Sequence, residues 1–353
     1  MALSHSLPWS WYSDPEVLRL EQGRIFRQTW QYVGHAGRVA ALGERFAAWA
    51  GDVPVLVVRA DDGLRAFLNV CRHRGSLLVE GDGARASIQC PYHAWTYGLD
   101  GSLRAAPRSE REPDFDVSEL SLVPLRLETW GPFLFVNPRE DAPPLAETLG
   151  PLPDLLGVDD LVFHSRDEYE LAANWKIGCE NYLECYHCPV AHKGFSAAYD
   201  VDPDSYRLEP TGEYVLSQFA PAREPRLRLR CRSKGSRALP VTPPLSEGQF
   251  HFVWPNLKLN AYAGTPNLSI GPLLPAGPER SSGFLDYFFA PDADGHWVEE
   301  LLSFDRQVGA EDRVLVERVQ KGLRGGGVEH GRLMGDSERL IAHFQSLLLD
   351  ALA

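Results

Sequence analysis

The 353-residue sequence predicts an α+β fold, with a small antiparallel β domain followed by a larger mixed domain. Short alternating or apolar runs, separated by Gly, Asp and Pro turns, fill the stretch from about 45 to 137 and are typical of an antiparallel β domain. Beyond about 145, strand-like and helix-like segments alternate, and the chain closes with two helical stretches.

The individual elements follow in chain order. Asp14 before Pro15 and Glu16 predicts a helix start within the first forty residues. In the β domain, strands are expected at 53–58, 64–70, 123–129 and 133–136. The later part predicts strands at 161–171, 249–261 and 281–289, and helices at 174–186, 297–323 and after Ser337.

The composition narrows the class of protein. Hydrophobic content of 44% and charged content of 24% are those of an ordinary globular protein. No apolar run reaches the ~18 residues of a membrane span, and the N-terminus lacks the basic start and apolar stretch of a signal peptide, so a cytoplasmic protein is expected. A net charge of −13 argues against nucleic-acid binding, which begins with a basic surface.

Two short Cys/His pairs form the first candidate metal site. Cys71 and His73 form one pair, Cys90 and His93 the other, and each pair falls at the tip of a predicted hairpin. Two thiolates and two imidazoles suit a tetrahedral Zn²⁺ or a [2Fe–2S] cluster with Cys on one iron and His on the other. The C-x-H spacing of the first pair departs from the spacing of zinc-finger ligands, but ligand count alone leaves both metals open.

The residues around these two pairs resemble those of a known protein family. The segments CRHRG and CPYHAWTYGLDG resemble the Rieske domain of the aromatic-ring-hydroxylating oxygenase family. The resemblance implies a Rieske [2Fe–2S] cluster, with Cys71 and Cys90 on the inner iron and His73 and His93 on the outer one. Imidazoles in place of two thiolates raise the reduction potential of such a cluster.

A second candidate site lies in the segment NWKIGCENYLECYHCPVAH. On a helix, Glu180, Glu184 and His187 would share one face. Pro189 would bend or end that helix and bring His192 beside His187. Two His with a nearby carboxylate suit a mononuclear iron site with open positions for O₂. Spacing alone also permits a zinc knuckle, with ligands Cys179, Cys185, Cys188 and His192.

This segment resembles the catalytic segment of the same oxygenase family in the pattern NWK-x3-EN-x2-E-x2-H-x4-H. The resemblance implies that His187 and His192 bind iron and that Glu184 occupies the place of the carboxylate linking the two metal centres. Much of the family has Asp there, and Glu resembles the branch acting on quaternary amines such as carnitine, choline and glycine betaine. The cysteines have no assigned role in the family and are expected to be packing residues.

The third iron ligand should be a carboxylate far along the chain. Asp312 shares a helical stripe with apolar residues, among which an unpaired carboxylate is costly. These residues are Val308, Val316, Val319 and Leu323. Asp305 lies on nearly the same stripe, so periodicity leaves a choice, and an ion pair of Asp312 with Arg313 is a further alternative. The pattern EDxxLxExVQxGL resembles the ligand-bearing helix of the family and selects Asp312.

The resemblance also implies a fold and an activity. The Rieske domain would be inserted into a helix-grip (Bet v1/START-like) domain with a curved antiparallel sheet and a long C-terminal helix. The expected division is an N-terminal helical segment at 1–40, the Rieske domain at 41–138 and the catalytic domain at 139–353. The chain would use O₂, with electrons from NAD(P)H through a separate reductase and a possible ferredoxin, to hydroxylate or demethylate a small organic substrate. The alternatives are a ring cis-dihydroxylating dioxygenase and a Rieske electron-transfer protein without catalysis.

Family members place the two metals far apart within one chain, and the resemblance implies a homotrimer or an α₃β₃ assembly. In it, His93 of one chain would hydrogen-bond Glu184 of the next. A basic face on Arg226, Arg228, Arg230 and Arg232 suits an acidic redox partner or a charge-protected edge strand. The aromatic residues of the strand-like stretches suit planar rings and quaternary ammonium groups alike, so composition does not select a substrate.

Overall fold

The computed structural model describes residues 4–223 and 244–353, and the predicted basic face at Arg226–Arg232 lies outside them. The described part of the chain contains seventeen strands and eight α-helices. It separates into two compact units, one made of Gln22–Leu145 and the other of Met1–Glu21 with Ala146–Ala353. The antiparallel sheets and long C-terminal helix described below confirm the predicted α+β class.

The unit Gln22–Leu145 contains the first ten strands. They are β1 Gln31–His35, β2 Glu44–Ala50, β3 Val53–Ala60, β4 Gly63–Leu68, β5 Asp82–Ala84, β6 Ile88–Gln89, β7 Thr96–Tyr97, β8 Leu103–Ala105, β9 Pro124–Trp130 and β10 Phe133–Asn137. Seven of them form an antiparallel sheet in the order β1-β10-β9-β4-β3-β2-β5, and β6-β7-β8 form a second, smaller sheet. Because 31–35 is a strand, the prediction that 1–40 is a helical segment is wrong there. The division at residues 40 and 138 stays a prediction.

The other unit contains the remaining elements. The helices are α1 Pro15–Glu21, α2 Leu145–Leu149 (which begins at the unit boundary), α3 Leu152–Leu155, α4 Trp175–Tyr182, α5 Cys188–Ala191, α6 Lys193–Ala198, α7 Gly295–Leu323 and α8 Arg339–Leu352. The strands are β11 Val162–Leu171, β12 Arg207–Pro210, β13 Val215–Pro221, β14 Glu247–Val253, β15 Leu257–Ala261, β16 Asn267–Gly277 and β17 Arg280–Phe289. No helix in the described ranges is both long and apolar enough to cross a membrane.

The seven strands of this unit form one antiparallel sheet in the order β11-β17-β16-β15-β14-β13-β12. The strand-like stretch at 249–261 forms two strands, because residues 254–256 turn the chain between β14 and β15. Pro255 has no N–H for the ladder, and the Asn256 side chain instead donates to the Leu273 carbonyl at 2.9 Å. Helix α4 lies against β16 and α7. It is tied to α7 by the Asn174 N–H, which donates to Gln320 Oε1 at 2.8 Å.

A buried polar network anchors α4. The Lys176 ammonium lies 2.6 Å from Glu21 Oε1, and both side chains are fully buried. Glu180 Oε1 accepts from the Tyr12 hydroxyl at 2.8 Å and from Gln345 Nε2 at 2.9 Å. Glu180, predicted on the same helical face as Glu184 and His187, therefore points into this network and not toward the metal ligands.

We expect Glu180→Gln to stabilise the protein at alkaline pH. Burial raises the pKa of Glu180 from 4.5 to about 7, against the lowering effect of Gln345, Tyr12 and Lys176. Because the folded-state pKa lies above the unfolded value, the stabilising protonation is complete below about 4.5 and is lost as pH rises through about 7. Glutamine keeps the accepting Oε1 but carries no charge to desolvate. The free energy of unfolding of the variant, relative to that of wild type, should therefore rise by roughly 2–3 kcal/mol from pH 5.5 to pH 8.5. Urea unfolding at both pH values measures this, with exposed Glu299→Gln as the control. An equal effect of Glu180→Gln at both pH values would contradict the assignment.

Candidate metal centres

Two loops with the same backbone conformation carry the Cys/His pairs. In each, the cysteine N–H donates to the carbonyl five residues on, and the residue four positions on donates back to the cysteine carbonyl. These donors are Gly75 and Ala94, and both have left-handed φ values, +73° and +57°. Glycine adopts this conformation at little cost, whereas for Ala94 it is uncommon. The similar loops place both pairs at the tips of hairpins, as the sequence predicts.

In both pairs the thiol is buried and the imidazole is exposed. Cys71 and Cys90 are each only 2% exposed, and neither forms a disulfide. His73 and His93 are exposed, with ring centroids 4.7 Å apart. Buried sulfurs beside surface imidazoles suit a [2Fe–2S] cluster with one inner and one outer iron better than a single tetrahedral ion, which would draw all four donors to one point.

Neighbouring side chains hold this arrangement. The Trp95 ring stacks on His73 at 4.7 Å with an interplanar angle of 10°, and Phe115 packs edge-on against Trp95. The Tyr97 hydroxyl lies 3.4 Å from Cys71 Sγ and accepts from the Arg72 N–H at 3.1 Å. A hydroxyl donor to a cluster sulfur is one of the ways in which a protein tunes a reduction potential.

The second predicted site brings three ligand atoms together. His187, His192 and Asp312 each offer one atom, and these atoms lie within 4.8 Å of one another. The two Nε2 atoms are 3.0 Å apart, and Asp312 Oδ1 lies 3.0 Å from His192 Nε2 and 3.5 Å from His187 Nε2. Among the described residues no other group of three His, Cys, Asp or Glu side chains converges in this way. The set is a 2-His-1-carboxylate arrangement, which suits iron with open positions.

Both imidazoles are oriented from behind by carboxylates. His192 Nδ1 lies 2.7 Å from Glu311 Oε2, and His187 Nδ1 contacts Glu184 Oε1. A carboxylate on Nδ1 fixes the proton there and turns the Nε2 lone pair toward the ligand cluster. Although burial opposes it, Asp312 and Glu184 raise the pKa of His187 to about 9, so a metal ion must displace a proton to bind.

The local backbone corrects the helical prediction for this segment. Helix α4 ends at Tyr182 and not at 186, and Glu184 and His187 follow it in a turn. The Glu184 carboxylate accepts from the backbone N–H groups of Tyr186 and His187, which competes with helix continuation. Pro189 lies in the first turn of α5, where its missing N–H costs nothing, so it begins a helix and does not end one.

The predicted packing role of the cysteines needs a correction. Cys185 and Cys188, on either side of His187, are joined by a disulfide, whereas Cys179 is buried and free. Sulfurs in a disulfide offer no thiolate to a metal, so the zinc knuckle is not formed.

The structure also distinguishes Asp312 from the two alternatives that the sequence left open, an ion pair with Arg313 and Asp305 as the ligand. Asp312 accepts from Asn181 Nδ2 at 2.8 Å in addition to contacting both histidines, and no ion pair with Arg313 forms in the described residues. Asp305 accepts from the hydroxyls of Tyr262 and Tyr287 instead. The predicted apolar stripe around Asp312 is wrong at Val319, which is 47% exposed.

Two adjoining cavities lie at this cluster. The smaller, about 130 Å³, is lined by His187, His192 and Asp312, and the larger, about 490 Å³, is also lined by Asp312. The residues common to both cavities are Asn181, Tyr182, Lys258, Leu285, Asp305, Gly309 and Asp312. A Cβ at Gly309, inside α7, would meet no atom within 4 Å, so this helix position leaves the cavities wider than any other residue type would. The larger cavity is within the size range of small-molecule sites.

Sequence reasoning missed four groups at the site. Glu311 and Asn181 hold ligands in place, and each adjoins a residue of the recognised motifs, which is the signal that could have identified them. Lys258 was not singled out, and Asp305 was considered only as a ligand. No sequence spacing relates these last two, because β15 and α7 meet only in the folded chain.

Two protein families match this chain. The family described as "Rieske [2Fe-2S] domain" matches residues 29–125, and "Ring hydroxylating alpha subunit (catalytic domain)" matches residues 158–353. The carnitine monooxygenase oxygenase subunit of Escherichia coli (strain K12) is 34% identical over 97% of this chain and 92% of its own. Choline monooxygenase, chloroplastic, of Amaranthus tricolor is 32% identical over 97% of this chain and 76% of its own.

A solved structure of a quaternary ammonium Rieske monooxygenase superposes with a TM-score of 0.86 at 31% identity, covering 99% of this chain and 96% of that one. The chain therefore belongs to the α subunits of Rieske non-haem iron oxygenases, oxidoreductases that carry a Rieske [2Fe–2S] cluster and a mononuclear iron and use O₂.

Proposed function

We propose that this chain is the oxygenase component of a monooxygenase that oxidises a small quaternary ammonium compound. The observation that carries the proposal is the larger cavity, which opens beside Asp312 and is lined by tyrosine rings and by the buried carboxylate of Asp305. Quaternary ammonium groups are recognised by aromatic faces and by negative charge. The relatives named for carnitine, choline and quaternary ammonium oxidation support the same class of substrate.

We assign the cluster to Cys71, Cys90, His73 and His93, and the mononuclear iron to His187, His192 and Asp312. When bound, the cluster supplies electrons one at a time and the mononuclear iron activates O₂. Overall, one C–H bond, one O₂, two electrons and two protons become one C–OH group and one water. Hydroxylation at a carbon attached to the quaternary nitrogen gives a product that cleaves to an amine and an aldehyde, which is oxidative dealkylation.

The chain's own residues orient the reaction. Glu311 and Glu184 keep the Nδ1 protons of the two histidines away from the cavity, so both Nε2 atoms face it. Asn181 donates to Asp312 Oδ1 and fixes that carboxylate, whose side chain is 31% exposed. Their common role is to keep three ligands on one side of the smaller cavity and leave its other side to O₂ and substrate.

Electrons come from a separate partner, as in the rest of the family, and we propose an NAD(P)H-dependent reductase with or without a ferredoxin. We further propose a head-to-tail homotrimer, or an α₃β₃ assembly, in which Glu184 of one copy meets His93 of the next. Large apolar side chains are exposed beside both centres, with Tyr92 at 58%, Tyr186 at 61% and Val190 at 80%. A contact between copies would cover them. A cytoplasmic location stays a prediction.

Metal analysis and a single turnover test this function. Anaerobically purified protein should contain about three irons and two labile sulfides per chain. After chemical reduction and addition of ¹⁸O₂, carnitine, γ-butyrobetaine or choline should yield an amine and an aldehyde. The aldehyde, reduced with borohydride before its oxygen exchanges with water, should give an alcohol in which that oxygen is labelled. About two irons and no product would indicate a Rieske electron carrier instead. Turnover of arenes to doubly labelled cis-diols would indicate a ring dioxygenase.

A further inference from the structure

Two opposite charges line both cavities without a charged partner. They belong to Asp305 on α7 and Lys258 on β15. Within residues 4–223 and 244–353, neither side chain forms an ion pair. A buried charge without a partner is costly unless hydrogen bonds or a ligand compensate it.

Hydrogen bonds hold the Asp305 carboxyl group in place. The residue is 7% exposed, and its two carboxylate oxygens each accept from a tyrosine hydroxyl, Oδ1 from Tyr262 and Oδ2 from Tyr287 at 2.6 Å. Burial raises the pKa of Asp305, and the two hydroxyls and the positive charge of Lys258 offset only part of that rise. With two donors and no ion pair at contact distance, this carboxyl group is fixed in place and is available to a cationic ligand.

Lys258 is held differently. Its ammonium lies 5.1 Å from the centroid of the Tyr169 ring and 5.7 Å from that of Tyr182. Against the lowering effect of burial, the neighbouring Tyr169 oxygen raises the pKa of Lys258, and no carboxylate forms an ion pair with it in the described part of the chain. Its cross-strand neighbour on β16 is Gly271, which has no side chain to offer. A Cβ at Gly271 would lie 1.6 Å from the Phe284 carbonyl oxygen, so no acidic residue fits there.

The Tyr169 hydroxyl is a third polar group that favours a bound ligand. The Tyr169 hydroxyl is buried without a hydrogen-bond partner, and Tyr169 lines the larger cavity together with Lys258. Buried hydroxyls nearly always find a partner. An ammonium without a carboxylate partner and a hydroxyl without an acceptor, side by side in one cavity, are suited to an anionic group of a ligand.

We propose that the substrate is a zwitterion, with a carboxylate bound by Lys258 and Tyr169 and a quaternary ammonium group held near Asp305 and the surrounding tyrosine rings. This inference rests on the proposed function and narrows it. A cation without a carboxylate, such as choline, satisfies Asp305 but leaves the Lys258 ammonium unpaired and adds a like charge to the cavity. A zwitterion compensates both charges and adds no net charge to the cavity. Lys258 thereby becomes the residue that distinguishes betaines from amino alcohols.

Paired ligands and paired variants test the inference by isothermal titration of the holoprotein. The ligands are γ-butyrobetaine and its methyl ester, which differ by the negative charge. Wild type should bind the betaine more tightly than the ester, and Lys258→Met should weaken betaine binding by about 10- to 100-fold while leaving ester binding nearly unchanged. Lys258→Arg should retain most of the preference. Asp305→Asn should weaken both ligands alike.

Exposed Lys321→Met on the same unit is the matched control and should bind like wild type. Iron and sulfide content, measured for every variant, establishes that the fold and the centres are intact. Equal wild-type affinities for betaine and ester, or an equal loss of both in Lys258→Met, would overturn the inference. If wild type oxidises choline without a Lys258-dependent preference for betaines, only this inference fails. If it neither binds nor oxidises any quaternary ammonium compound, the proposed function fails.

Discussion

Asp312→Ala should lower the iron content from about three to about two atoms per chain and leave the two labile sulfides unchanged. The variant removes the one carboxylate ligand and leaves two imidazoles with Nε2 atoms 3.0 Å apart, which is too few donors for tight Fe(II) binding. Substrate-dependent O₂ uptake should fall by at least ~1000-fold, because loss of the reaction centre removes the whole transition-state stabilisation. Colorimetric iron and sulfide assays with an oxygen electrode measure both effects.

Two further variants make this result specific. Glu299→Ala replaces an exposed carboxylate on the same helix α7 and should change neither the metals nor the activity. His73→Ala should show the reciprocal pattern, with loss of labile sulfide and retention of about one iron. Full iron content and normal turnover in Asp312→Ala would reject its assignment as a ligand and return attention to other carboxylates.

Glu184→Ala should leave both metals largely bound and still slow turnover by roughly 100-fold or more. Carboxylates behind ligating histidines are worth about 10- to 100-fold in activity. The Glu184 carboxylate also accepts hydrogen bonds from the backbone N–H groups of Tyr186 and His187, so its loss removes the contacts that hold the segment carrying His187 in place. If Glu184 also links the two centres, reoxidation of the reduced cluster, followed by rapid-mixing absorbance, should slow with turnover. Glu184→Gln, which keeps an accepting oxygen but no charge, should be intermediate.

Co-expression separates a linking role between subunits from a purely local one. Chains carrying His73→Ala have an intact iron site, and chains carrying Asp312→Ala have an intact cluster. In a head-to-tail trimer the mixed assembly should regain part of the activity that each variant lacks alone, and adding Glu184→Ala to the His73→Ala chain should abolish the regain. No complementation, or normal cluster reoxidation in Glu184→Ala, would contradict electron transfer through Glu184 between copies.

The ligands were predictable from sequence where the chemistry is local. Cys71, His73, Cys90 and His93 lie on two tight loops, so spacing alone groups them in pairs. His187 and His192 are five residues apart, and any compact turn brings them close. Asp312 needed the resemblance, since helical periodicity treats Asp305 as its near equivalent.

The predictions that were wrong depend on tertiary contacts, which a sequence pattern does not contain. Glu180 shares the predicted helical face with Glu184, yet the helix ends between them because the Glu184 carboxylate caps backbone N–H groups. Lys258 was overlooked since a single lysine on a strand is ordinarily a surface residue. Its importance comes from Gly271 and Tyr169, which adjoin it only through the sheet.

Gly309 has a consequence for how such an oxygenase diversifies. It lies on the rigid helix α7 between Asp305 and Asp312, and it borders both cavities with open space where a Cβ would be. Replacing glycine inside a helix gains up to about 1 kcal/mol of helix stability, so a larger side chain there carries no folding penalty. Substrate size can therefore change by single substitutions at one position while the metal ligands and the charged groups stay in place. In this scaffold the residues that bind the metals are therefore distinct from the residue that sets the size of the substrate.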